Sequence, residues 1–233
     1  NKINNQSVLT MVKHFPGGGP QEKGLDPHLF SGKNQIYPGN NFNYHLVPFK
    51  GAIKNNLKVI MPYYGIPVSQ TNEDVAMAYN KYILTNLLRE ELGFKGVICS
   101  DWGIITGRHW GVSSLSISER YEKSINAGID QYGGESDTSF LLELVKDKKI
   151  SVGRINESVK RILINKFELG LFDNPYVDES EVKYKVNSKE NIEAGLGAQR
   201  KSLVLLENDG VLPLKKNTKI FIDGLDVKVG EKF

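Results

Sequence analysis

The chain of 233 residues has a single cysteine, two tryptophans, four histidines and almost no net charge, with 30 basic side chains against 27 acidic ones. With one thiol, Cys99, no intrachain disulfide can form, so stability has to come from a core. A hydrophobic content of 39% is enough to build one. The small charge excess is spread along the chain without long runs, which argues against a nucleic-acid or membrane-surface partner. No apolar stretch approaches the roughly 20 residues that span a bilayer. Residues 1–7 are polar where a secretory leader carries its apolar core, so any leader would precede residue 1. No His, Cys and carboxylate residues recur at metal-ligand spacing, and neither a metal nor a cofactor is expected. Gly17, Gly18 and Gly19 lack the Gly-Lys-Ser/Thr ending and the following helix that a phosphate loop needs.

What is present is a repeating alternation of helical and strand-like segments. Residues 95–102, Lys-Gly-Val-Ile-Cys-Ser-Asp-Trp, hold a short apolar run that ends in a carboxylate and an indole. Before it, residues 73–92 show a 3.6-residue period in Val75, Tyr79, Ile83, Leu87 and Leu88, with Thr71 and Asp74 as an expected capping pair and Gly93 as the stop. Residues 8–15 read as a buried strand delivering Lys13 and His14 to its carboxyl end. Residues 57–61 form a second strand, followed by Tyr63 and Tyr64, residues 97–99 a third, and residues 129–132 a fourth. Helices are expected over residues 45–55, 118–126, 138–146 and from Ser151 or Asn156 onward. The glycine-rich stretch 16–41 is too long for an idle connection and is expected to cover a site.

Residues 174–190 turn polar and lose their period, as an interdomain linker does. The expected division is therefore 1–173, a linker 174–190, and 191–233, where a helix (192–202) and strands (203–206 and 219–223) open a second α/β domain. The strand and helix units of the first part fit an open doubly wound sheet or half of an eight-stranded barrel. In either, ligands gather at the carboxyl ends of strands, where Lys13, His14, Tyr63, Tyr64, Asp101 and Trp102 all fall. A carboxylate beside an aromatic, with cations and tyrosines near, suits a sugar: an aromatic platform for its apolar face and charges for its hydroxyls. An Asp in such a place otherwise caps a helix, and a Lys-His pair otherwise ends a strand.

The chain resembles glycoside hydrolase family 3. The residues that carry the resemblance are Lys13-His14-Phe15-Pro16-Gly17, Pro48-Phe49-Lys50-Gly51-Ala52-Ile53, Met61-Pro62-Tyr63-Tyr64, Leu92-Gly93-Phe94-Lys95-Gly96-Val97, Ser100-Asp101-Trp102, Ala127-Gly128-Ile129-Asp130 and Leu169-Gly170-Leu171-Phe172, in that order. The resemblance implies a (β/α)8 TIM-type barrel, present as its second half only, followed by the beginning of an α/β sandwich domain. It implies retaining hydrolysis of terminal β-D-glucosyl or β-xylosyl residues of a β-linked oligosaccharide or β-glucoside. Asp101 would be the nucleophile, with Lys13, His14, Tyr64 and Trp102 on the sugar. The acid/base glutamate of such enzymes would follow residue 233, and another polypeptide could supply the missing strands and that residue. Asp26-Pro27-His28 resembles the acid/base dyad of the family's β-N-acetylhexosaminidases, an alternative reading. A non-catalytic carbohydrate-binding fragment is a further alternative.

Overall fold

The computed structural model describes residues 3–221 and 223, which divide into two units, 1–176 and 177–233. In the first unit, strands β1 (Met11–Phe15), β3 (Val59–Pro62), β5 (Val97–Trp102) and β6 (Gln131–Gly133) form a parallel sheet in that order. Two short strands, β2 (Asn34–Gln35) and β4 (Ile66–Pro67), pair separately. Registers run Met11 to Val59, Val59 to Val97 and Cys99 to Gln131. Spatial order follows chain order with no reversal, so the sheet has no switch point of the doubly wound kind. The fold is TIM-barrel-like α/β.

The intervening helices account for that topology. Helix α1 (Phe42–His45) leads into α2 (Val47–Lys54), whose first turn holds Pro48, a place where the missing N–H does no harm. Helices α3 (Ile117–Ala127) and α4 (Ser139–Lys146) follow β5 and β6. Phe49, Leu84, Leu88, Tyr121, Ile125 and Leu144 bury themselves with Ile60 and Ile98 in one core, so these helices cover one face of the sheet. On the other face Val59, Val97 and Cys99 meet Leu9 and Ile162. The alternation of Val97 and Cys99 with Ile98 divides the two faces.

Two helix starts differ from expectation. The helix before β5 runs over Tyr82–Glu91 with wide i→i−5 turns rather than from residue 73. Asn80 explains this: its Oδ1 accepts the Ile83 N–H while its Nδ2 donates to Thr71 Oγ1. Thr71 instead donates to Glu73 O, and Asp74 accepts from Ser69 N, so they form no capping pair. Ser116, two residues earlier than expected, caps α3 in a reciprocal box with Glu119.

Helix α5 (Val152–Glu168) crosses the amino-terminal ends of the strands. Arg154 donates to the carbonyls of Ile125 and Ile129, Ile162 packs under the sheet, and Glu168 pairs with Lys58 at 2.8 Å, one residue before β3. The chain then brings Gly170 beside Asn5 in the approach to β1. Asp130, one residue before β6 and with no exposed side-chain surface, joins these parts. It accepts from Arg89 (2.5 Å), Arg154 (3.3 Å), Arg161 (2.7 Å), Ser158 (2.8 Å) and the Ile98 N–H (3.0 Å). Burial alone would raise its pKa, but the arginines and hydrogen bonds outweigh burial and hold it below the ordinary carboxylate range.

The second unit contains helix α6 (Val182–Lys185) and helix α7 (Lys189–Ser202), the latter capped by Ser188. Residues 203–206, expected as a strand, form no regular element and are exposed, with no ladder partner among the described residues. A strand exists only through a partner's hydrogen bonds, and local preference cannot supply them. The expected strand at 219–223 lies partly outside the described residues.

Candidate active site

At the carboxyl end of the sheet both outer ladders lose register, between Lys13 and Phe15 and between Cys99 and Trp102. The first break contains His14 and the second contains Asp101. Asp101 is 7% exposed. Its Oδ1 accepts the Trp102 N–H at 2.7 Å, while Oδ2 accepts no hydrogen bond from the described residues and lies 3.3 Å from His14 Nε2. One carboxylate oxygen is thus fixed by the backbone and the other faces the His14 imidazole.

Burial pushes the His14 pKa down, Asp101 opposes this, and the nearby Lys13 and His28 add to the lowering. The imidazole is therefore held toward its neutral form at neutral pH. Lys13 itself remains exposed on β1 and reaches the group through its charge. Tyr63 packs its ring 4.9 Å from that of His14 and takes a hydrogen bond from Gln21 at 2.6 Å.

Tyr64 is buried, and its hydroxyl donates to the Trp102 carbonyl at 2.6 Å. Burial and the neighbouring Asp101 drive its pKa well up, which keeps it a donor. The Trp102 indole is 54% exposed and rests on Gly133 and Gly134. A β-carbon at Gly133 would stand 2.5 Å from Trp102 Cε3, so only glycine leaves room for the ring.

Asp26 Oδ1 and His28 Nδ1 are 2.5 Å apart, and the same oxygen accepts the His28 N–H at 2.7 Å. That backbone bond is the main reason the Asp26 pKa is lowered. The His28 ring meets Tyr64 edge-on at 4.9 Å, which brings this pair to the same rim. His14, Asp101, Trp102 and Tyr64 thus form one connected group, the Asp26 and His28 pair borders it, and the exposed Lys13 side chain makes no hydrogen bond or ion pair with any of them.

From the sequence, Arg108 and Trp110 fall in a loop after the third strand that could border the cleft, and Glu135 follows the fourth strand, but none of the three has an assigned role. The Arg108 guanidinium lies 5.1 Å from the Tyr64 ring. Trp110 Nε1 donates to Pro27 O at 2.8 Å and so ties the loop after β5 to the loop bearing His28. Glu135 accepts the N–H groups of Ile105 and Thr106 and orders the turn after Trp102. Their placement beyond strand ends was the available signal, although residue type alone gave no reason to choose them. The glycine-rich stretch folds back on itself through a bridge between Gln21 and Gln35 and a bond from Ile36 N to Pro20 O. Among the described residues no group of three His, Cys, Asp or Glu side chains is placed to hold a metal ion, and no helix is long and apolar enough to cross a membrane.

In parallel barrel-type sheets ligand sites lie at the carboxyl rim, which is where Asp101, His14 and Trp102 are placed. Residues 2–164 match the glycosyl hydrolase family 3 N terminal domain, and the chain belongs to that family. It is 45% identical over 239 residues to beta-glucosidase C of Emericella nidulans, covering 97% of this chain and 39% of that protein. It is 36% identical to a periplasmic beta-glucosidase/beta-xylosidase of Dickeya chrysanthemi, covering 100% of this chain and 39% of that one. A beta-glucoside phosphorylase, BglX, shares the fold with a TM-score of 0.75 at 24% identity over 89% of this chain and 39% of its own. The chain therefore spans about two fifths of the length of these relatives.

Proposed function

We propose that the protein hydrolyses terminal non-reducing β-D-glucosyl residues with retention of configuration, and that β-xylosyl residues are a second substrate. The observation that carries this reading is the asymmetry of Asp101. With Oδ1 held by Trp102 N–H, Oδ2 is the oxygen free to attack an anomeric carbon. The bond from Oδ2 to that carbon forms as the bond to the leaving oxygen breaks, and that oxygen departs with a proton from an acid. Water then displaces Asp101 and gives its proton to the conjugate base. His14 and Lys13 bind sugar hydroxyls, Trp102 offers its exposed face to the ring, and Tyr64 holds the Trp102 backbone.

The names of the curated relatives support a β-glucoside substrate. The contact between Asp26 and His28 favours, as a second reading, a dyad acting as acid/base on a 2-acetamido sugar. In architecture, we infer that the four strands are the second half of an eight-stranded barrel occupying 1–173, with 174–190 as linker and 191–233 as the beginning of an α/β sandwich. The outer sides of β1 and β6, which pair with β3 and β5 alone among the described residues, would take the remaining strands from the same or another polypeptide.

The test is intact mass after incubation of the full-length protein with a 2-deoxy-2-fluoro-β-glucoside carrying a dinitrophenolate leaving group, which departs without acid help. A glucosyl adduct mapped to Asp101 and absent in Asp101→Asn is expected. Absence of an adduct on a folded protein would overturn the assignment and favour a carbohydrate-binding role. Turnover of a 2-acetamido-β-glycoside that depends on His28 would promote the dyad reading.

A further inference from the structure

The ladder between β5 and β6 takes three steps on one side, Cys99 to Trp102, and two on the other, Gln131 to Gly133. The extra residue makes a bulge, which bends a strand and re-aims a side chain, and this bulge holds Ser100 and Asp101. Ser100 has no exposed surface. Its hydroxyl donates to the Asp101 carbonyl at 2.9 Å and accepts the Gly133 N–H from the neighbouring strand at 3.0 Å. On the other side of Asp101, the Gly103 N–H donates to the Gly133 carbonyl at 3.2 Å. Gly133 is thus held through both of its backbone groups, from residues before and after Asp101.

A buried hydroxyl needs partners wherever it lies. Ser124, equally buried, spends its own on the carbonyls of Arg120 and Tyr121 in its helix and on the Tyr132 hydroxyl. Ser100 differs in where its bonds go: one to the peptide of Asp101, the other to the adjacent strand. With Asp101 Oδ1 held by the Trp102 N–H at 2.7 Å, these bonds fix the main chain from which Oδ2 projects toward His14 Nε2 at 3.3 Å. Alanine would offer neither bond. Resting on the reading of Asp101 as nucleophile, we propose that Ser100 is a positioning residue for the glycosylation step: its hydroxyl clasps the bulge and keeps Oδ2 in line with the anomeric carbon. The bond from Oδ2 to that carbon forms as the bond to the leaving oxygen breaks, and no atom of Ser100 is exchanged.

The experiment follows labelling of Asp101 by the dinitrophenyl 2-deoxy-2-fluoro-β-glucoside in the full-length protein and in its Ser100→Ala and Ser100→Thr variants, over a range of reagent concentrations that separates the limiting rate from the dissociation constant. A thermal melt sets a temperature at which each protein is folded. A purely structural role would lower the melting temperature and leave the limiting rate of the folded protein alone. The expected result is a limiting rate roughly a hundredfold lower in Ser100→Ala, the scale on which a small misplacement of a reacting group acts, with a dissociation constant changed by less than about threefold. Ser100→Thr, which keeps the hydroxyl, should stay within about tenfold of wild type. If Ser100→Ala does not fold, Ser100→Cys, close in volume but a weak donor and acceptor, takes its place with the same expectation. A wild-type limiting rate in the folded variant, or an equal loss in Ser100→Thr, would overturn the role of Ser100 while the wild-type adduct upholds the nucleophile. Absence of an adduct in wild type would overturn both.

Discussion

His14 Nε2 stands 3.3 Å from the one Asp101 oxygen that accepts no hydrogen bond. The two residues come from different strands, with β3 between them, and meet where the sheet's outer ladders break register. A regular ladder would point their side chains by strict alternation, whereas the breaks allow each to be aimed separately.

The pH dependence of stability follows from that pair. The His14 pKa is lowered in the folded protein, so as pH falls below its ordinary 6.5 the unfolded chain takes up a proton that the native site resists. Stability contributed by this group is therefore intact above pH 6.5 and declines below it. Urea midpoints at pH 7.5 and 5.5 should separate in wild type and separate less in His14→Gln. An equal separation in both proteins would remove His14 as the cause.

Tyr64→Phe deletes the hydroxyl that donates to Trp102 O. A carbonyl left without its donor costs about 1–3 kcal/mol. The variant should unfold at lower denaturant and label Asp101 more slowly with the fluoroglucoside. Unaltered stability together with an unaltered labelling rate would contradict the role assigned to Tyr64.

Gly133→Val would place carbon where the Trp102 indole lies. Trp102 is one of two tryptophans in these 233 residues, so the displaced ring should shift the emission spectrum of this chain. If the chain acts as the proposed β-glucosidase, KM for β-glucosides should rise. A spectrum identical to wild type would mean that the ring does not rest on this glycine.

Asp130→Ala would leave three arginines around an empty space. Removing one partner from a buried ionic group destabilises by about 3–5 kcal/mol. Denaturant titration measures this directly, and a loss under about 1 kcal/mol would show that the arginines are satisfied without it.

The strand ends were readable because each apolar run stops abruptly at a charged or aromatic residue, as in the Cys-Ser-Asp-Trp at 99–102 and the Lys-His at 13–14. The helix before β5 and its stop at Gly93 were readable from the period, but its start was not, because that depends on where Asn80 finds Thr71 and Glu73 in space. Asp130 stood out only as the end of the family-like Ala127-Gly128-Ile129-Asp130, and its role was not readable, since three of its partners lie 24–41 residues away in the chain. The support from Trp110 to Pro27 spans 83 residues and leaves no local pattern at all. The close approach of Asp26 to His28 is the opposite case, a short-range turn visible in Asp-Pro-His itself.

The path of α5 has a mechanical consequence for the rim on the opposite side of the sheet. One helix grips the chain before β6 through Arg154 and Arg161 and the chain before β3 through Glu168, and the segment after it reaches the approach to β1. It acts as a keel: the strands cannot fan apart at the top without tearing it loose below. The spacing between His14 and Asp101 is thus set as much by a girder at the far end of the strands as by anything the two side chains touch.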